Sequence, residues 1–184
     1  TMTLVTSLTG LTGASDIVYD SVRDYVYITS TGSLLVVDIA GGSSLSLLFT
    51  YSPSQFTNVA LTAVGYKDDL ACVCADKTMY VIYMNDPLVP QMLTTFVHDD
   101  LEETSGMCIN TFATKVYTIS RTKHKFVQIN LENTMMPAVE GVYESEENVK
   151  EPQYVLYDED KELVFVSCYL SQKVLVFGGA PYLT

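Results

Sequence analysis

The sequence predicts an all-β protein, a β-propeller built of four-stranded antiparallel blades. Internal repetition is the first reason: Val26, Ala71 and Val116 occupy matching positions 45 residues apart, and Val164 follows after a further 48. A four-stranded unit that repeats every 40–50 residues or so is typical of propellers. The second reason is composition, because 13 Tyr and 7 Phe among 184 residues suit half-buried pleated sheets. No segment has the 3.6-residue periodicity of an amphipathic helix.

Each repeat contains an inner strand, a central hairpin of two strands and, except in the last repeat, a fourth strand. The central hairpins are expected at 25–28 with 35–38, 70–73 with 80–83, 115–118 with 126–129, and 163–166 with 174–177. The inner strands are expected at 17–19, 60–63, 107–109 and 154–157, and the fourth strands at 45–50, 91–96 and 138–143. The repeats therefore run approximately over 14–51, 57–97, 105–143 and 152–184.

The last repeat lacks a fourth strand, and the start of the chain matches the missing one. We therefore expect residues 1–8 to supply the closing strand of the last blade. A four-blade ring closed in this way and a four-blade part of a larger ring are both compatible with the sequence.

The connections support the same strand order. The turns from first to second strand are short and rich in Asp and Asn, including Asp20, Asn110 and Asp158, because these side chains bond nearby backbone in turns. Tight hairpins are expected at 30–33 and 75–78. Three of the six prolines, Pro87, Pro90 and Pro137, lie between third and fourth strands, where the outer edge of a sheet tolerates a missing donor.

The first repeat resembles the blades of LVIVD-type and YVTN-type propellers. Residues 16–28 and 34–39 carry the strand–turn–strand pattern of those blades, and residues 163–167 with 173–177 carry a weaker version. The chain has no Trp, so the Trp-Asp pair of another propeller class is absent. The resemblance implies a recognition scaffold, often in surface or secreted proteins, with enzymes among more distant propellers.

The charge balance restricts the class of partner. Ten Lys and Arg against 22 Asp and Glu give a net charge of -12. Binding to phosphate backbones needs clustered cations, so nucleic acid and anionic membrane surfaces are poor partners. No apolar run reaches the ~20 residues of a spanning helix, and membrane insertion is not predicted. A basic protein, a cation or a neutral ligand suits this charge better, and another protein is the favoured partner, although acidity also serves solubility alone.

The candidate binding surface consists of loops between blades and a basic hairpin, which a propeller places on one face. Carboxylates in these loops provide a binding surface for a basic partner. A calcium site at the same carboxylates is a less favoured interpretation. The simpler interpretation is a solvated acidic rim that pairs with the basic hairpin. The candidate residues are Asp99, Asp100, Glu102, Glu103, Arg121, Lys123, His124, Glu144, Glu146 and Glu147.

The sequence favours a non-enzymatic interaction scaffold and predicts no cofactor. His98 and His124 are the two histidines, and no nucleophile, zinc-protease or nucleotide-loop motif is present. One alternative is a hydrolase or lactonase-like enzyme with a metal in the central channel. This alternative is disfavoured because no metal-ligating residue type recurs at one position in all four repeats. A second alternative is a structural half-ring, in which a homodimer completes an eight-bladed ring.

Cysteine usage leaves the cellular location open. Cys72, Cys74, Cys108 and Cys168 have no zinc-pair or disulfide-framework spacing, so they are interpreted as buried free thiols. Free thiols and the lack of an Asn-x-Ser/Thr sequon favour the cytoplasm. The resemblance to LVIVD-type and YVTN-type blades favours the cell surface or secretion instead.

Overall fold

The computed structural model describes residues 6–39, 44–56 and 59–178, and it confirms the all-β prediction. These residues form a four-blade β-propeller arrangement with three four-stranded antiparallel sheets and a fourth sheet of three strands. The helical segments within these ranges are two three-residue 3-10 turns, Ser54–Phe56 and Asp99–Leu101. None of the described helices is long and apolar enough to pass through a lipid bilayer.

Each blade uses consecutive segments of the chain. Blade 1 contains β1 Ile17–Asp20, β2 Tyr25–Ser30, β3 Ser33–Asp38 and β4 Ser46–Tyr51. Blade 2 contains β5 Ala63–Lys67, β6 Leu70–Ala75, β7 Thr78–Tyr83 and β8 Gln91–Val97. Blade 3 contains β9 Thr104–Ile109, β10 Lys115–Ser120, β11 Lys125–Asn130 and β12 Ala138–Glu144. Blade 4 contains β13 Pro152–Asp158, β14 Leu163–Cys168 and β15 Lys173–Gly178.

The strands lie close to their expected positions, with one clear displacement. The inner strand of the second repeat begins at Ala63, whereas the sequence pattern placed it at 60–63. Leu61 is apolar and buried, but it precedes the strand, and Ala60 forms an isolated bridge to Thr31 of the blade 1 hairpin. Residues 1–5 of the expected closing strand lie outside the described residues, and residues 6–8 belong to no strand.

Asp and Asn side chains set the turns between first and second strands, as the sequence predicts. The Asp20 carboxylate accepts from the backbone N–H of Val22 at 3.0 Å. The Asn110 side chain accepts from the N–H groups of Thr114 and Lys115 at 2.9 and 2.8 Å. The Asp158 carboxylate accepts equivalent bonds in blade 4 from residues 160 and 161. The recurring polar residue at this position therefore shapes a turn.

Successive blades are joined by buried apolar side chains. The inner strands pack in the order β1, β5, β9 and β13 around a central channel. One buried cluster joins blade 1 to blade 2, a second joins blade 2 to blade 3, and a third joins blade 3 to blade 4. No buried apolar cluster of the described residues joins blade 4 to blade 1. Blades 2 and 3 therefore pack both sheet faces on neighbouring blades. On blade 1, Leu35 and Val37 of the sheet face directed away from blade 2 are also buried, at 6% and 2% exposure.

The four cysteines are free thiols that contribute to these blade contacts. Cys72 and Cys74 are fully buried between blades 2 and 3. Burial raises the pKa of the Cys74 thiol to about 12 and that of the Cys108 thiol to about 12 as well. Thiols in such surroundings stay protonated and behave as small apolar side chains.

Candidate functional site

One face of the propeller brings together the loops between blades and the second-to-third-strand hairpins. We call it the loop-bearing face and define it by the interblade loops 98–103 and 145–151 and the hairpins 121–124 and 169–172. Ion pairs and hydrogen bonds connect each loop to a neighbouring hairpin. The predicted acidic loops and the predicted basic hairpin therefore meet on one surface.

Lysines from two hairpins hold the loop between blades 2 and 3. Lys77 Nζ lies 2.9 Å from the Asp99 carboxylate, and Lys123 Nζ lies 3.3 Å from that of Glu102. The hydrogen bond from Lys77 and its charge lower the pKa of Asp99 below its ordinary value. Both pairs are solvent-exposed, so each ion pair contributes little to stability.

Lys125 is the most enclosed cation of this face, and it joins two acidic segments. Its Nζ lies 2.7 Å from the Asp100 carboxylate and 3.3 Å from that of Glu144, at the end of β12. The hydrogen bond from Lys125 to Asp100 is the largest cause of a raised Lys125 pKa. The pair of carboxylates therefore keeps this lysine charged and positioned. Lys125 belongs to the predicted basic hairpin 121–125, but it is not one of the ten candidate residues.

His98 has a structural position in the same loop. Its Nδ1 accepts from the backbone N–H of Asp100 at 3.2 Å and caps the 3-10 turn Asp99–Leu101. The ring stacks on Phe96, with ring centroids 5.9 Å apart. Leu101 is completely buried and fixes the turn against blades 2 and 3. His98 and its neighbours therefore order the acidic loop.

The loop between blades 3 and 4 is held by the hairpins on both sides. His124 Nδ1 accepts from the backbone N–H of Glu151 at 3.3 Å. Lys173 donates to the Asn148 side chain at 2.6 Å and lies 3.7 Å from the Glu147 carboxylate. Val149 is fully buried beneath the loop. This loop is consequently anchored at both ends, and Glu146 and Glu147 remain exposed at its tip.

Three of the candidate residues have no ion-pair or hydrogen-bond partner within the described part of the chain, namely Glu103, Arg121 and Glu146. Arg121 lines a cavity of about 630 Å³ at the mouth of the channel, together with Glu103, Thr62 and Ser105. The same arginine lines the channel cavity of about 450 Å³. The structure therefore separates the candidate set into residues that order the loops and residues whose side chains have no partner among the described residues.

The channel itself offers few ionisable groups. Its cavity is lined by inner-strand residues of all four blades, and Asp16 is the carboxylate among them. Asp16 accepts from the backbone N–H of Val64 at 2.9 Å, and burial raises its pKa above the ordinary value. Across residues 6–39, 44–56 and 59–178, no group of three or more His, Cys, Asp or Glu side chains is arranged to hold a metal ion.

The opposite face carries a second polar region that sequence reasoning missed. Arg23 Nη1 donates to Asp20 at 3.0 Å and to the Tyr66 hydroxyl at 2.8 Å, and Nη2 donates to Asp69. These groups border a cavity of about 440 Å³ that also includes Lys67. Asp20 and Arg23 belong to blade 1 and Tyr66 and Asp69 to blade 2, so the network connects two blades. Only the fold brings these residues, more than 40 positions apart, into contact.

Comparison with known proteins supports the fold at the structural level alone. Neither protein-family models nor curated protein sequences give a match to this chain. The β-propeller domain of Cps50 (Swd1) from Myceliophteria thermophila superposes with a TM-score of 0.67 at 12% identity, over 91% of this chain and 54% of that one. A structure from Bacteroides uniformis named as a "putative 6-phosphogluconolactonase" superposes with a TM-score of 0.71 at 15% identity, over 95% and 56%. Hydrazine synthase of Kuenenia stuttgartiensis gives a TM-score of 0.69 at 14% identity, over 92% and 47%.

These superpositions define the class of protein: the chain has the β-propeller fold. It spans about half the length of the solved propellers that it matches, between 47% and 56% in the three cases. At 12–15% identity the likeness concerns the fold and does not extend to function. The specific LVIVD or YVTN repeat type stays a resemblance of the sequence.

Proposed function

We propose that this chain is a non-enzymatic scaffold whose loop-bearing face binds a basic segment of another protein. The observation that carries the proposal is the state of the acidic loops. Lysines, a histidine and buried apolar side chains hold these loops in place, while Glu103, Glu146 and Glu147 stay exposed. An ordered loop loses little conformational entropy on binding. More of the favourable interaction of its exposed carboxylates with a cationic segment therefore remains in the binding free energy.

The overall charge supports a basic partner. A chain of net charge -12 attracts cationic segments at long range and repels acidic ones. Charge complementarity acts mainly on association rate and partner choice, and it weakens as salt screens it. We therefore expect binding that is fast at low ionic strength and that decreases steeply as salt is added.

Charge reversal on the two faces tests the proposal. The test variant carries Glu146→Lys and Glu147→Lys, and the matched control carries Asp160→Lys and Glu162→Lys on the opposite face. Both variants change the net charge by the same amount, so long-range attraction decreases equally. Binding of a fluorescent Lys/Arg-rich peptide is measured by anisotropy, together with crosslinking and pull-down from cell extract.

We expect the Glu146/Glu147 variant to lose at least about tenfold more peptide affinity than the control, because local contacts as well as net charge are lost. The crosslinked protein species should disappear with that variant and persist with the control. Equal losses in the two variants, or unchanged partner recovery, would contradict binding at the loop-bearing face.

The alternative function is a propeller hydrolase or lactonase-like enzyme with a metal in the channel. It has support from the channel cavity, which contains Asp16 and Arg121, and from the superposition with the Bacteroides uniformis protein. Elemental analysis of the purified chain and assay of 6-phosphogluconolactone hydrolysis test this alternative. A stoichiometric ion with measurable turnover would favour the enzyme over the scaffold. The same elemental analysis, after dialysis against calcium, tests the calcium hypothesis.

A further inference from the structure

Two loops on the face opposite the loop-bearing face have the same construction. The blade 2 loop, residues 84–90, joins β7 to β8, and the blade 3 loop, residues 131–137, joins β11 to β12. Each loop begins with a buried apolar residue, Met84 or Leu131, whose backbone N–H donates at 2.7 Å to a carbonyl in the turn between the first and second strands of its blade. In blade 2 that turn contains Asp69 of the Arg23 network, so the two loops lie on the face that carries this network.

The same two hydrogen bonds close both loops. In each, an Asp or Asn side chain accepts from the N–H two residues later, and the carbonyl of the same residue accepts from the N–H three residues later. The side-chain bonds measure 3.0 and 3.1 Å, and both backbone bonds measure 2.9 Å. Each loop therefore holds its tip in one defined conformation. The bonded residues are Asp86, Leu88 and Val89 in the blade 2 loop and Asn133, Met135 and Met136 in the blade 3 loop.

The side chains at the tips of both loops are apolar and exposed. Leu88 and Val89 are 46% and 60% exposed, and Met135 and Met136 are 56% and 74% exposed. Turns are ordinarily formed by glycine, proline and small polar residues, so turn geometry does not require an apolar pair at either tip. The recurrence of the pair in two equivalent loops points to a role at the surface.

An apolar groove accompanies the two loops. It is a cavity of about 420 Å³, bordered by Tyr83 and Leu93 on the strands that the blade 2 loop joins and by Thr134 of the blade 3 loop. Ala113 belongs to the same wall, and Phe112 beside it is 72% exposed. Exposed apolar surface of this extent marks an interaction site in a soluble protein.

The charges available at this groove are negative. Asp68 lines the groove and Glu132 belongs to the blade 3 loop, and neither side chain has an ion-pair or hydrogen-bond partner within the described residues. Lys67 and Lys115, at the same end of blades 2 and 3, already lie 2.6 and 3.2 Å from glutamate carboxylates. A ligand that combines positive charge with apolar side chains therefore complements the groove.

We propose that this groove binds a basic amphipathic segment of another protein. Apolar side chains of the segment pack between the two loops, and its Lys or Arg side chains pair with Asp68 and Glu132. Methionine adapts to differently shaped apolar partners, and amphipathic helices commonly bind in grooves of this kind. Because both loops are ordered before binding, they lose little conformational entropy in the complex.

Charge complementarity selects a protein segment over a lipid bilayer. A chain of net charge -12 is repelled by an anionic membrane, and a neutral bilayer offers no net positive charge to the two carboxylates. The groove is separate from the loop-bearing face. The proposed site therefore holds or fails independently of the proposed function.

Binding of an amphipathic peptide to charge-neutral variants is the first test. The test variant carries Val89→Ser and Met136→Ser, and the control carries Tyr169→Ser and Leu170→Ser, at exposed positions of the loop-bearing face. All four substitutions leave the net charge unchanged, so long-range attraction is equal. The probe is a fluorescent helical Leu/Lys peptide with leucine on one face, and anisotropy gives its affinity. Circular dichroism and cooperative thermal unfolding verify that both variants fold.

We expect the test variant to bind this peptide at least about tenfold more weakly than the control, because apolar contacts are lost. A peptide of the same composition with dispersed leucines should bind weakly and be insensitive to the substitutions. The Lys/Arg-rich peptide that probes the loop-bearing face should bind the test variant as it binds wild type. Unchanged affinity of the test variant for the amphipathic peptide, or an equal loss in the control, would overturn the proposal.

Two isosteric variants test the role of the carboxylates. Asp68→Asn with Glu132→Gln is compared with Asp160→Asn and Glu162→Gln in the blade 4 turn, which removes the same number of charges. Asn tolerates the left-handed backbone of residue 68, where φ is 46°, so the turn is preserved. Affinity for the amphipathic peptide should decrease more in the Asp68/Glu132 variant. Equal decreases would contradict pairing at the groove.

Methyl resonances of the methionines locate the bound peptide. In protein labelled at the methionine methyl groups, the peptide should shift the signals of Met135 and Met136 and leave those of the fully buried Met79 and Met84 nearly unchanged. Unchanged Met135 and Met136 signals at saturating peptide would overturn the proposal. Sedimentation velocity and flotation with phosphatidylcholine vesicles test the other occupants. A wild-type dimer, or vesicle binding, that Val89→Ser with Met136→Ser abolishes would assign the groove to a second copy or to lipid and would also overturn it.

Discussion

Asp20 combines turn formation with the connection of two blades. Its side chain is 2% exposed and accepts from Arg23 at 3.0 Å and from the Tyr27 hydroxyl at 3.2 Å. Burial opposes its ionisation, but the hydrogen bonds from Arg23 and from the Val22 backbone outweigh burial and lower the pKa of Asp20 below its ordinary value. Arg23 in turn reaches Asp69 of blade 2. A single carboxylate thus supports both a turn and an interblade contact.

We predict that Asp20→Ala lowers the free energy of unfolding by about 2–4 kcal/mol, because it removes one of the two carboxylates that pair with Arg23 and leaves the buried Tyr27 hydroxyl without its acceptor. The matched control is Asp158→Ala, which removes the same turn bond in blade 4 at a more exposed site. Urea denaturation should show a clearly smaller loss for the control. Equal decreases in the free energy of unfolding for Asp20→Ala and Asp158→Ala would mean that the turn hydrogen bonds, and not the network with Arg23, account for the destabilisation.

The pH dependence follows from the lowered pKa of Asp20. A carboxylate with a lowered folded-state pKa stabilises the fold above its unfolded-state pKa, and this stabilisation is lost as pH falls through the folded-state value. The deficit of Asp20→Ala should therefore be complete at pH 7 and decrease below about pH 4. A deficit that stays constant down to pH 2 would contradict this assignment.

At the residue scale, sequence reasoning identified roles that are local. Asp20, Asn110 and Asp158 were predicted as turn residues, and their hydrogen bonds confirm it. The sequence also allows pairing between the basic hairpin and the acidic loops, and Lys123 Nζ lies 3.3 Å from the Glu102 carboxylate. Lys77 and Lys173, by contrast, are isolated cations in sequence, and their carboxylate partners are fixed by the packing of neighbouring blades.

Four hairpin loops of four residues share one backbone feature. Each ends in a residue with a left-handed backbone, at Asp24, His124, Glu162 and Gln172, with φ between 53° and 57°. This conformation is unfavourable for residues other than glycine, asparagine and aspartate. Gln172 is exposed, so its backbone effect can be measured without a packing change.

We predict that Gln172→Val lowers the free energy of unfolding by about 1 kcal/mol, because a β-branched residue is strained at positive φ. Gln172→Gly should leave stability equal or slightly higher. The control is Leu170→Val in the same loop, whose φ is not positive and which should have little effect. Thermal unfolding followed by circular dichroism measures all three, and equal effects at positions 170 and 172 would refute the explanation.

At the element scale, apolar alternation located most strands but not every boundary. The inner strand of blade 2 was placed at 60–63 because Leu61 and Ala63 follow the expected spacing, yet pairing with β6 begins at Ala63. A buried leucine that precedes a strand gives the same apolar spacing in the sequence as a buried leucine within the strand. Pairing depends on a partner strand, which the local pattern does not contain.

The exposed sheet face of blade 4 gives the molecule an uneven stability, because Leu156, Val174 and Val176 on it are 64%, 66% and 54% exposed. Blades 2 and 3 bury both faces, while blade 4 buries one within the described residues, and its outer strand β15 has a partner on one side only. In repeat architectures stability is approximately a sum over units and the contacts between neighbours. The end blade should therefore open more often than the middle blades.

Hydrogen exchange tests this order. For dilute protein we predict that backbone amides of β13–β15 exchange at least about tenfold faster than those of β6, β7, β10 and β11. Uniform protection of all blades at high dilution would show that blade 4 is not the weak end.

At the scale of the whole molecule, the sequence predicted the all-β propeller fold because its repeats are visible as a period. It left the number of blades in the ring open, because four repeats fit a closed ring and a partial one equally well. Apolar positions at the end of the blade series, such as Val174 with 66% exposure, belong to the same apolar class as Leu34, Met79 and Phe126, their buried equivalents in the other blades. Residue type therefore gives no sign of whether a neighbour covers them.

The consecutive order of strands within each blade has a consequence for synthesis of the chain. Every described strand pairs with the strand directly before or after it in sequence, so a blade needs no later segment to form its described pairs. During translation the N-terminal blade can assemble as soon as it leaves the ribosome. It then provides the apolar surface on which the next blade condenses. Folding during synthesis would then proceed one blade at a time, and the most recently folded blade would expose the apolar sheet face that the next blade will cover.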